Sequence, residues 1–361
     1  MYRITTIAIF IISGLWAQAQ NKKMNFDLTF NGYTDFYYSQ FNNNLTDIQP
    51  LTTVGAVPGI FRNNISALGV SFKNKYIRSQ FTAHSGNIVN ATWDSQLSVI
   101  QEANIGLHLF EDFYIDVGYF TTHIGMESFM PKNNLLSSTS IITFNEPFYQ
   151  RGIRAQYEGI KNFDFQLWLL DGYNLFRDNN DSKSIGMLIS YEKNNFKVSY
   201  SNILGVEPTI LNNDAFRTYH NAYINYEFLN NIFEINSSID IGTQAGLEDS
   251  ASKLMIAFIN TFRVNITDRI SATIRHESQN DSAGVLTGVG FTESSLEGIN
   301  MSGLTYGIGY ELGDSFYFRY ETRTLRQREN SVQIFDNTDS RTEHLVTIGL
   351  MFEAKIKNKT N

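Results

Sequence analysis

The sequence contains no cysteine, and only five of its 361 residues are proline. Without cysteine the chain forms no disulfide and no thiolate metal site, and it offers no thiol for lipid attachment. After residue 20, no segment approaches the roughly 20 consecutive apolar residues that a membrane-spanning helix needs. These absences exclude a disulfide-stabilised scaffold and a helical membrane protein.

Positive charge is also scarce. The chain has 28 lysines and arginines against 36 aspartates and glutamates, which gives a formal net charge of −8. A nucleic-acid-binding protein needs a basic face that neutralises phosphates. We therefore expect no nucleic acid among the partners of this protein.

Aromatic residues are abundant, with 28 phenylalanines and 19 tyrosines. Many lie in short stretches in which apolar and polar residues alternate, as a strand places successive side chains on opposite faces. In the clearest stretch, Arg319, Glu321 and Arg323 share one face, whereas Phe318 and Tyr320 share the other. This alternation predicts an all-β fold.

The first residues have the features of an export signal. Arg3 supplies a positive start, an apolar run covers residues 4–16, and Ala17-Gln18-Ala19 has the small-x-small pattern of a cleavage site. The run is short for a membrane span, which leaves an uncleaved anchor as the less favoured alternative. We predict a signal peptide at residues 1–19 and a single domain at residues 20–361.

The alternation divides the chain after the signal into sixteen predicted strands. They cover residues 25–42, 60–73, 76–85, 97–110, 112–121, 146–158, 162–174, 184–193, 196–205, 216–228, 232–243, 252–264, 268–279, 302–313, 315–328 and 341–355. All five prolines lie in the connections or at the first residues of a strand, where no ladder hydrogen bond is lost.

The connections between these strands alternate between short and long. The seven short ones are 74–75, 111, 159–161, 194–195, 229–231, 265–267 and 314, and the eight long ones are 43–59, 86–96, 122–145, 175–183, 206–215, 244–251, 280–301 and 329–340. Bacterial outer-membrane barrels have an even strand number, tight periplasmic turns and longer outside loops. The sequence therefore predicts a transmembrane antiparallel β-barrel in the outer membrane of a Gram-negative bacterium.

In such a barrel, apolar faces meet the outer-membrane lipid and polar faces line a water-filled lumen. Aromatic residues near strand ends, here Tyr37, Tyr38, Phe148, Tyr149 and Tyr317, are expected to form girdles at the membrane interfaces, with an ordinary core position as the alternative.

Ten charged residues are candidates for lining the pore, where they would tune what passes. They are Asp35, Arg78, Glu102, Asp116, Arg154, Arg275, Glu277, Arg319, Glu321 and Arg323. The alternative for each is a solvated wall residue or a member of a cross-strand ion pair.

Enzyme signatures are weak. The six histidines are scattered without metal-ligand spacing, and no G-x-S-x-G motif is present. Only His84 with Ser85, and His276 with Ser278, are neighbours that a barrel-wall esterase could use. The sequence predicts no enzyme, no catalytic residue, no metal site and no cofactor.

Residues 101–205 resemble the OmpL-like family of β-barrel porins, common in Bacteroidetes-type bacteria. The resemblance is carried by the segments 101–106, 116–120, 123–128, 147–154 and 170–173, together with an early segment, 32–38. It implies an outer-membrane barrel and brings neither a defined substrate nor catalytic residues.

A second resemblance concerns the longest connection. In general porins, the loop between the fifth and sixth strands folds into the barrel and narrows it. By this resemblance, loop 122–145 is the candidate constriction, with His123, Glu127 and Lys132 as its polar groups. The alternative is an outward surface loop.

The end of the chain departs from many such barrels, which finish on an aromatic residue that the barrel assembly machinery reads. Here a lysine-rich polar tail, 353–361, follows Phe352. Either recognition tolerates the extension or Phe352 serves from inside the chain.

The sequence thus favours a porin through which small hydrophilic solutes and ions diffuse passively. A homotrimer is one candidate assembly of this porin. Two other functions stay open. One is a structural or adhesive barrel with an occluded lumen, and the other is a barrel-wall esterase or phospholipase.

Overall fold

A computed structural model of the chain describes residues 25–43, 47–95, 97–174, 181–207, 215–245, 253–287, 290–291, 296–335 and 338–358. The predicted signal peptide at residues 1–19 lies outside the described residues. Within them, no helix is both long enough and apolar enough to span a membrane.

Sixteen strands form a closed antiparallel barrel. They are β1 (Phe26–Phe41), β2 (Arg62–Asn74), β3 (Ile77–Ser85), β4 (Ile100–Phe110), β5 (Phe113–Thr121), β6 (Tyr149–Tyr157), β7 (Phe163–Leu170), β8 (Ser184–Lys193), β9 (Phe196–Val206), β10 (Phe216–Phe228), β11 (Phe233–Gln244), β12 (Lys253–Asn265), β13 (Ile270–Asn280), β16 (Asn300–Leu312), β17 (Phe316–Gln327) and β18 (Ser340–Asn358). The prediction of a sixteen-strand barrel is confirmed.

The long connections hold the remaining regular elements. Where the structure describes these connections, the elements are two short helices, α1 (Asn87–Thr92) and α2 (Ile141–Asn145), a 3₁₀ turn at Pro131–Asn133, and a two-stranded hairpin of β14 (Gly290–Phe291) and β15 (Leu296–Glu297). Sequence alternation could not reveal the hairpin because each of its strands has two residues.

Each barrel strand pairs with its neighbour in sequence, except that β13 pairs with β16 across the hairpin. Strand β18 closes the barrel on β1 in an unbroken register from Phe26 opposite Asn358 to Phe41 opposite Glu343. The polar tail after Phe352 therefore continues as strand to Asn358, three residues beyond the predicted end.

The tight turns use residues that tolerate the left-handed backbone region. Asn162, Asn194 and Gly313 have φ angles of 70°, 52° and 59°, and each lies in a tight turn between neighbouring strands of the structure. The sequence assigned residue 194 to a short connection and residues 162 and 313 to strand ends. These turns fix the register of the strands on either side.

The outer wall is apolar and the inner wall is polar. Leu107, Leu167 and Ile308 are 55%, 63% and 60% exposed, whereas Arg275 and Glu321, on inward positions, are 0% and 1% exposed. This inside-out arrangement is the one that lipid requires, because hydrocarbon cannot hydrogen-bond to polar groups.

The predicted aromatic girdle is wrong for four of its five members. Tyr37, Phe148, Tyr149 and Tyr317 are buried inside the barrel, and only Tyr38 is exposed on the outer face. Alternation places Tyr37 and Tyr317 inward, and Phe148 precedes β6 and packs on loop residues. Outward aromatic rings instead stack beside the short turns, in the pairs Phe26–Phe72, Phe110–Phe113, Phe163–Phe165, Phe228–Phe233 and Phe233–Phe262.

Candidate functional site

The connection between β5 and β6, residues 122–148, lies inside the barrel and is called the inner loop below. Its central residues 134–143 are all buried. Ser140 starts α2, and its side-chain oxygen accepts a hydrogen bond from the Thr143 backbone N–H. Of the two alternatives left open by the sequence, the structure shows the inward one.

Charged side chains of β13 and β17 hold one side of the inner loop. Arg275 donates to the Glu127 carboxylate at 3.0 Å and to the Ser138 carbonyl oxygen. Glu321 accepts hydrogen bonds from the Ser138 backbone N–H at 3.1 Å and from its hydroxyl at 2.6 Å, and also from the Ser137 backbone N–H.

Glu277 and Arg323 form a second anchor in the same part of the wall. Two parallel hydrogen bonds of 2.9 and 3.0 Å join the Arg323 guanidinium to the Glu277 carboxylate, and both side chains are 2% exposed. The same carboxylate accepts the Ile141 backbone N–H at 2.6 Å. The first turn of α2 is therefore tied to a buried ion pair.

Lys132, at the middle of the 3₁₀ turn, makes an ion pair with Glu311 at 2.9 Å. Arg319 reaches the same carboxylate at 2.8 Å and donates to the Pro131 carbonyl oxygen, also at 2.8 Å. Arginine suits this position because its fork of donors serves a carboxylate and a carbonyl at once.

His123 holds the beginning of the inner loop against the opposite wall. Its ring stacks on Trp168 at a centroid distance of 4.9 Å, and Nε2 lies 3.0 Å from the Asn202 carbonyl oxygen. Nδ1 lies 2.8 Å from the Gln150 side-chain amide. Burial lowers the pKa of His123 to about 4, so the imidazole is neutral at pH 7.

The end of the inner loop meets two buried carboxylates. Glu146 follows α2, and the Tyr219 hydroxyl lies 3.3 Å from its carboxylate and 2.8 Å from that of Asp240 on β11. Burial, and the nearby charge of Asp240, raise the pKa of Glu146 well above its ordinary value. Two carboxylates in one buried site share a proton because both cannot ionise cheaply there.

Strands β3, β5 and β6 carry a separate charged group on the other side of the lumen. Arg78 binds Asp116 through hydrogen bonds of 2.7 and 2.6 Å, and Arg154 binds the same carboxylate at 3.0 Å. The side chains of Arg78 and Arg154 retain 16% and 21% exposure, so they meet solvent in the lumen.

The structure places all ten predicted pore-lining residues on the inner face, but it does not leave them as freely solvated wall residues. Asp35 accepts hydrogen bonds from the Ile65 backbone N–H at 2.9 Å and the Tyr317 hydroxyl at 3.1 Å. Glu102 accepts from Thr121 at 3.3 Å. Most of the ten are engaged with each other or with the inner loop, since the loop fills the space that the sequence assigned to water.

Sequence reasoning missed several residues of the same surface. Arg263 donates to the Leu135 carbonyl, and Arg341 donates to the Pro50 carbonyl oxygen at 2.7 Å. Both lie in phase with inward neighbours, so strand alternation alone could have identified them.

Two outside loops also reach the inner loop. The hydroxyls of Thr53, in the first long loop, and Thr139 lie 2.5 Å apart. Trp93, just after α1 in the second long loop, packs edge-on against Phe129 at a centroid distance of 5.3 Å. The inner loop is therefore covered from outside as well as held from the wall.

Below the inner loop, a cavity of about 600 Å³ remains near the periplasmic turn 313–315. Its lining includes Tyr33, Gln80, Gln101, Glu102 and Met130. Among the described residues, no group of three or more histidine, aspartate or glutamate side chains is placed to hold a metal ion. The geometry is that of a lumen with charged walls and a folded-in loop.

A profile of the family described as "Putative beta-barrel porin-2, OmpL-like" matches residues 27–353. The chain belongs to this family of porins. The resemblance stated from the sequence is thus confirmed, and this OmpL-like porin is an outer-membrane protein that allows passive diffusion. Comparison with curated proteins finds no match.

Solved structures similar to this OmpL-like porin share its fold. The anion-selective porin from Comamonas acidovorans is 11% identical, with a TM-score of 0.60 over 91% of this chain and 100% of that one. OmpF of Salmonella typhi, in complex with daunomycin, is 10% identical, with a TM-score of 0.58 over 92% and 99%. The outer-membrane channel DcaP of Acinetobacter baumannii is 10% identical, with a TM-score of 0.55 over 91% and 97%.

Proposed function

We propose that the inner loop and the charged wall together set which small hydrophilic solutes diffuse through this porin. The observation that carries the proposal is the position of the inner loop, which lies across the lumen and is tied to β13 and β16 by ion pairs and to β17 by hydrogen bonds. Pore width excludes large solutes, and inward charges act as an electrostatic filter.

The wall charges divide into two groups by their exposure. Arg275, Glu277 and Arg323 are buried against the inner loop and act as anchors that set the width. Arg78 and Arg154 keep solvent access and act as the filter that passing ions meet. The sequence-based candidates thus take different roles.

Planar-bilayer recording tests this proposal. The purified porin is expected to give discrete channels whose ion selectivity changes when Arg154 is replaced and whose conductance changes when an anchor is replaced. A channel whose selectivity and conductance are unaffected by these two substitutions would contradict the proposal that solutes pass between the inner loop and the charged wall.

A barrel with an occluded lumen is the second candidate. It is supported by the apolar packing of Trp93, Phe129, Phe148 and Tyr149 inside the barrel. Absence of conductance from correctly folded protein in the same bilayer recording would favour this candidate over diffusion.

We propose no enzymatic activity. His84 is buried inside the barrel, whereas Ser85 beside it is exposed, so the two do not share a face. His276 and Ser278 share the outer face and form no part of the lumen site. Hydrolysis of a phospholipid or ester by the purified porin, lost on replacing His276, would contradict this.

Export and assembly complete the proposal. We propose that the segment 1–19 directs export, that the barrel assembly machinery inserts the chain, and that lipid covers the apolar wall. Any self-association of the porin, which the sequence gives as a candidate homotrimer, would use the outer surface of the barrel.

A further inference from the structure

The cavity below the inner loop has the size of a site for a small molecule. Its volume is about 600 Å³, and ligand pockets typically have volumes of about 300–1,000 Å³. Met130 of the inner loop contributes to its lining, and so do Asp314 and Ser315 of an exposed periplasmic turn. A solute that passes the inner loop toward the periplasm therefore meets this cavity, which we call the periplasmic chamber.

The described residues that line the periplasmic chamber carry negative charge and no positive charge. They include the carboxylates of Glu102, Asp314 and Glu353, and they include no lysine, arginine or histidine. Glu353 has a cationic partner outside the lining, Lys355, at 2.6 Å. A cleft lined by charges of one sign concentrates ions of the opposite sign, so the periplasmic chamber attracts cations.

Glu102 on β4 keeps one carboxylate oxygen free. Both of its hydrogen bonds, from the Thr121 backbone N–H and hydroxyl, end on Oε1 at 3.3 Å. Among the residues that the structure describes, Oε2 has no hydrogen-bond or ion-pair partner. Arg154 attracts this carboxylate through space, but its guanidinium is hydrogen-bonded to Asp116 at 3.0 Å. The charge of Glu102 is therefore only partly compensated within the chain.

Two side-chain amides of the periplasmic chamber also have unused oxygen atoms. Gln80 donates through Nε2 to the Thr82 hydroxyl at 2.7 Å, and Gln101 Nε2 lies 3.2 Å from His84 Nδ1. Within the described part of the chain, the side-chain oxygens of these two glutamines accept no hydrogen bond. Asn31 adds an amide that can donate or accept. Oxygen acceptors, one of them charged, are thus available to a ligand that donates.

We propose that the periplasmic chamber binds the ammonium group of a small organic amine, an inference that rests on the proposed diffusion of solutes through the lumen. An ammonium group has three N–H donors and no acceptor, which suits an oxygen-rich site with an uncompensated carboxylate. Tyr33, Met130 and Met351 provide apolar surface for the carbon skeleton of the amine. A neutral sugar would meet the same acceptors but would gain nothing from the charge.

Binding of n-butylammonium to the purified, folded porin tests the proposal, with n-butanol as the neutral ligand of similar shape. A ligand-observed NMR titration in detergent should detect binding of n-butylammonium and none of n-butanol. E102Q removes the charge at nearly constant shape and should weaken binding about tenfold or more, because a charge-assisted hydrogen bond is lost.

The matched control for E102Q is E111Q. Glu111 is an exposed carboxylate in the turn that follows β4, and it is not part of the chamber lining. E111Q removes the same charge and should bind n-butylammonium as the unaltered porin does. Equal weakening in E102Q and E111Q would show a general effect of net charge and would overturn the site.

A third variant separates a built site from simple electrostatic attraction. Q80L keeps the Glu102 carboxylate and removes one acceptor, so it should weaken n-butylammonium binding by about threefold to tenfold. Unchanged binding in Q80L would contradict the role of the amide oxygens. Heat-modifiable migration on gels verifies that each variant folds.

Planar-bilayer recording distinguishes a failure of this site from a failure of the diffusion route. In the unaltered porin, n-butylammonium should reduce the single-channel current, and in E102Q it should reduce the current far less. Conducting channels without n-butylammonium binding would overturn the amine site alone. Retained, Glu102-dependent binding by a porin without conductance would support the amine site and contradict the diffusion route. Equal binding of n-butylammonium and n-butanol would also overturn the amine site.

Discussion

Arg275 of β13 donates a hydrogen bond of 3.0 Å to the Glu127 carboxylate of the inner loop. The two residues are 148 positions apart, and sequence reasoning assigned one to the pore wall and the other to the constriction. Their contact means that a wall charge fixes the position of the loop. The Arg275 side chain is completely buried, which removes it from direct contact with passing solute.

The variant R275A should loosen the inner loop. It removes the cationic partner of Glu127 and a donor to the Ser138 carbonyl oxygen, and a buried carboxylate without a cationic partner is costly. We expect a larger mean conductance and more current noise in planar bilayers. R269A removes the same charge from an exposed turn and is the control; equal effects of the two would contradict the anchoring role.

The buried ion pair of Glu277 and Arg323 should matter more to stability than an exposed pair. Removing one member of a buried pair costs roughly 3–5 kcal/mol, so R323A should lower the free energy of unfolding by about that amount. Urea unfolding followed by the fluorescence of the buried Trp93 and Trp168 measures it.

The matched control for that measurement is K355A. Lys355 pairs with Glu353, and their side chains are 56% and 51% exposed. Exposed pairs contribute roughly 0–1 kcal/mol, so K355A should change stability little. Similar losses of unfolding free energy in R323A and K355A would show that burial does not increase the contribution of the Glu277–Arg323 pair to stability.

Ion selectivity should respond to Arg154. Its side chain is partly exposed in the lumen beside Asp116, so its charge acts on passing ions. R154A removes a positive charge and should shift the reversal potential in a salt gradient toward cation preference. R154K keeps the charge and should leave the reversal potential near that of the unaltered porin. An unchanged reversal potential in R154A would show that Arg154 does not contribute to ion selectivity.

The anchoring of the inner loop by Glu146 should weaken as pH rises. The raised pKa of Glu146 means that the folded chain holds a proton that the unfolded chain releases near pH 4.5. The stability gained from this proton is complete below pH 4.5 and is lost as pH rises toward the folded-state pKa. The groups that face Glu146 are Asp240, Tyr219, Tyr173 and Glu127.

E146Q carries no titratable proton and should flatten this part of the pH profile of loop protection, measured by hydrogen exchange. His123 has the opposite sign, because its lowered pKa makes stability fall as pH drops from 6.5 to about 4. The acid-side loss should therefore persist in E146Q. If loop protection in E146Q still falls as pH rises above 4.5, a group other than Glu146 is responsible for that pH dependence.

Assembly should depend on Phe352. Its exposed ring lies over Gly32 on the outer face, at the seam where β18 closes on β1. If Phe352 serves the assembly machinery from inside the chain, F352A should reduce the amount of folded barrel in outer membranes. L350A, an outward residue on the same strand, is the control, and equal losses would point to lost lipid contact alone.

The barrel was predictable because two independent sequence patterns agree. Alternation assigns faces such as those of Arg319 and Phe318, and the lengths of the connections assign the two ends of the barrel. For the sixteen barrel strands, the errors are confined to strand ends, as at β7, which stops at Leu170 and not at 174. Beyond it, Asn174 turns inward to accept the Phe148 backbone N–H at 2.8 Å.

The site was less predictable than the wall. Strand period shows that Glu321 points inward, but it does not show that backbone N–H groups of Ser137 and Ser138 will meet it. The pairing of Glu146 with Asp240 joins a loop and a strand far apart in sequence. Such contacts depend on the path of the inner loop through space, for which a single sequence provides no local signal.

The contacts of Thr53 and Trp93 with the inner loop give the outside surface a hold on the interior. If the inner loop sets the pore width as proposed, a ligand that displaces the first or second long loop is expected to displace the inner loop as well and so to change the permeability of the pore.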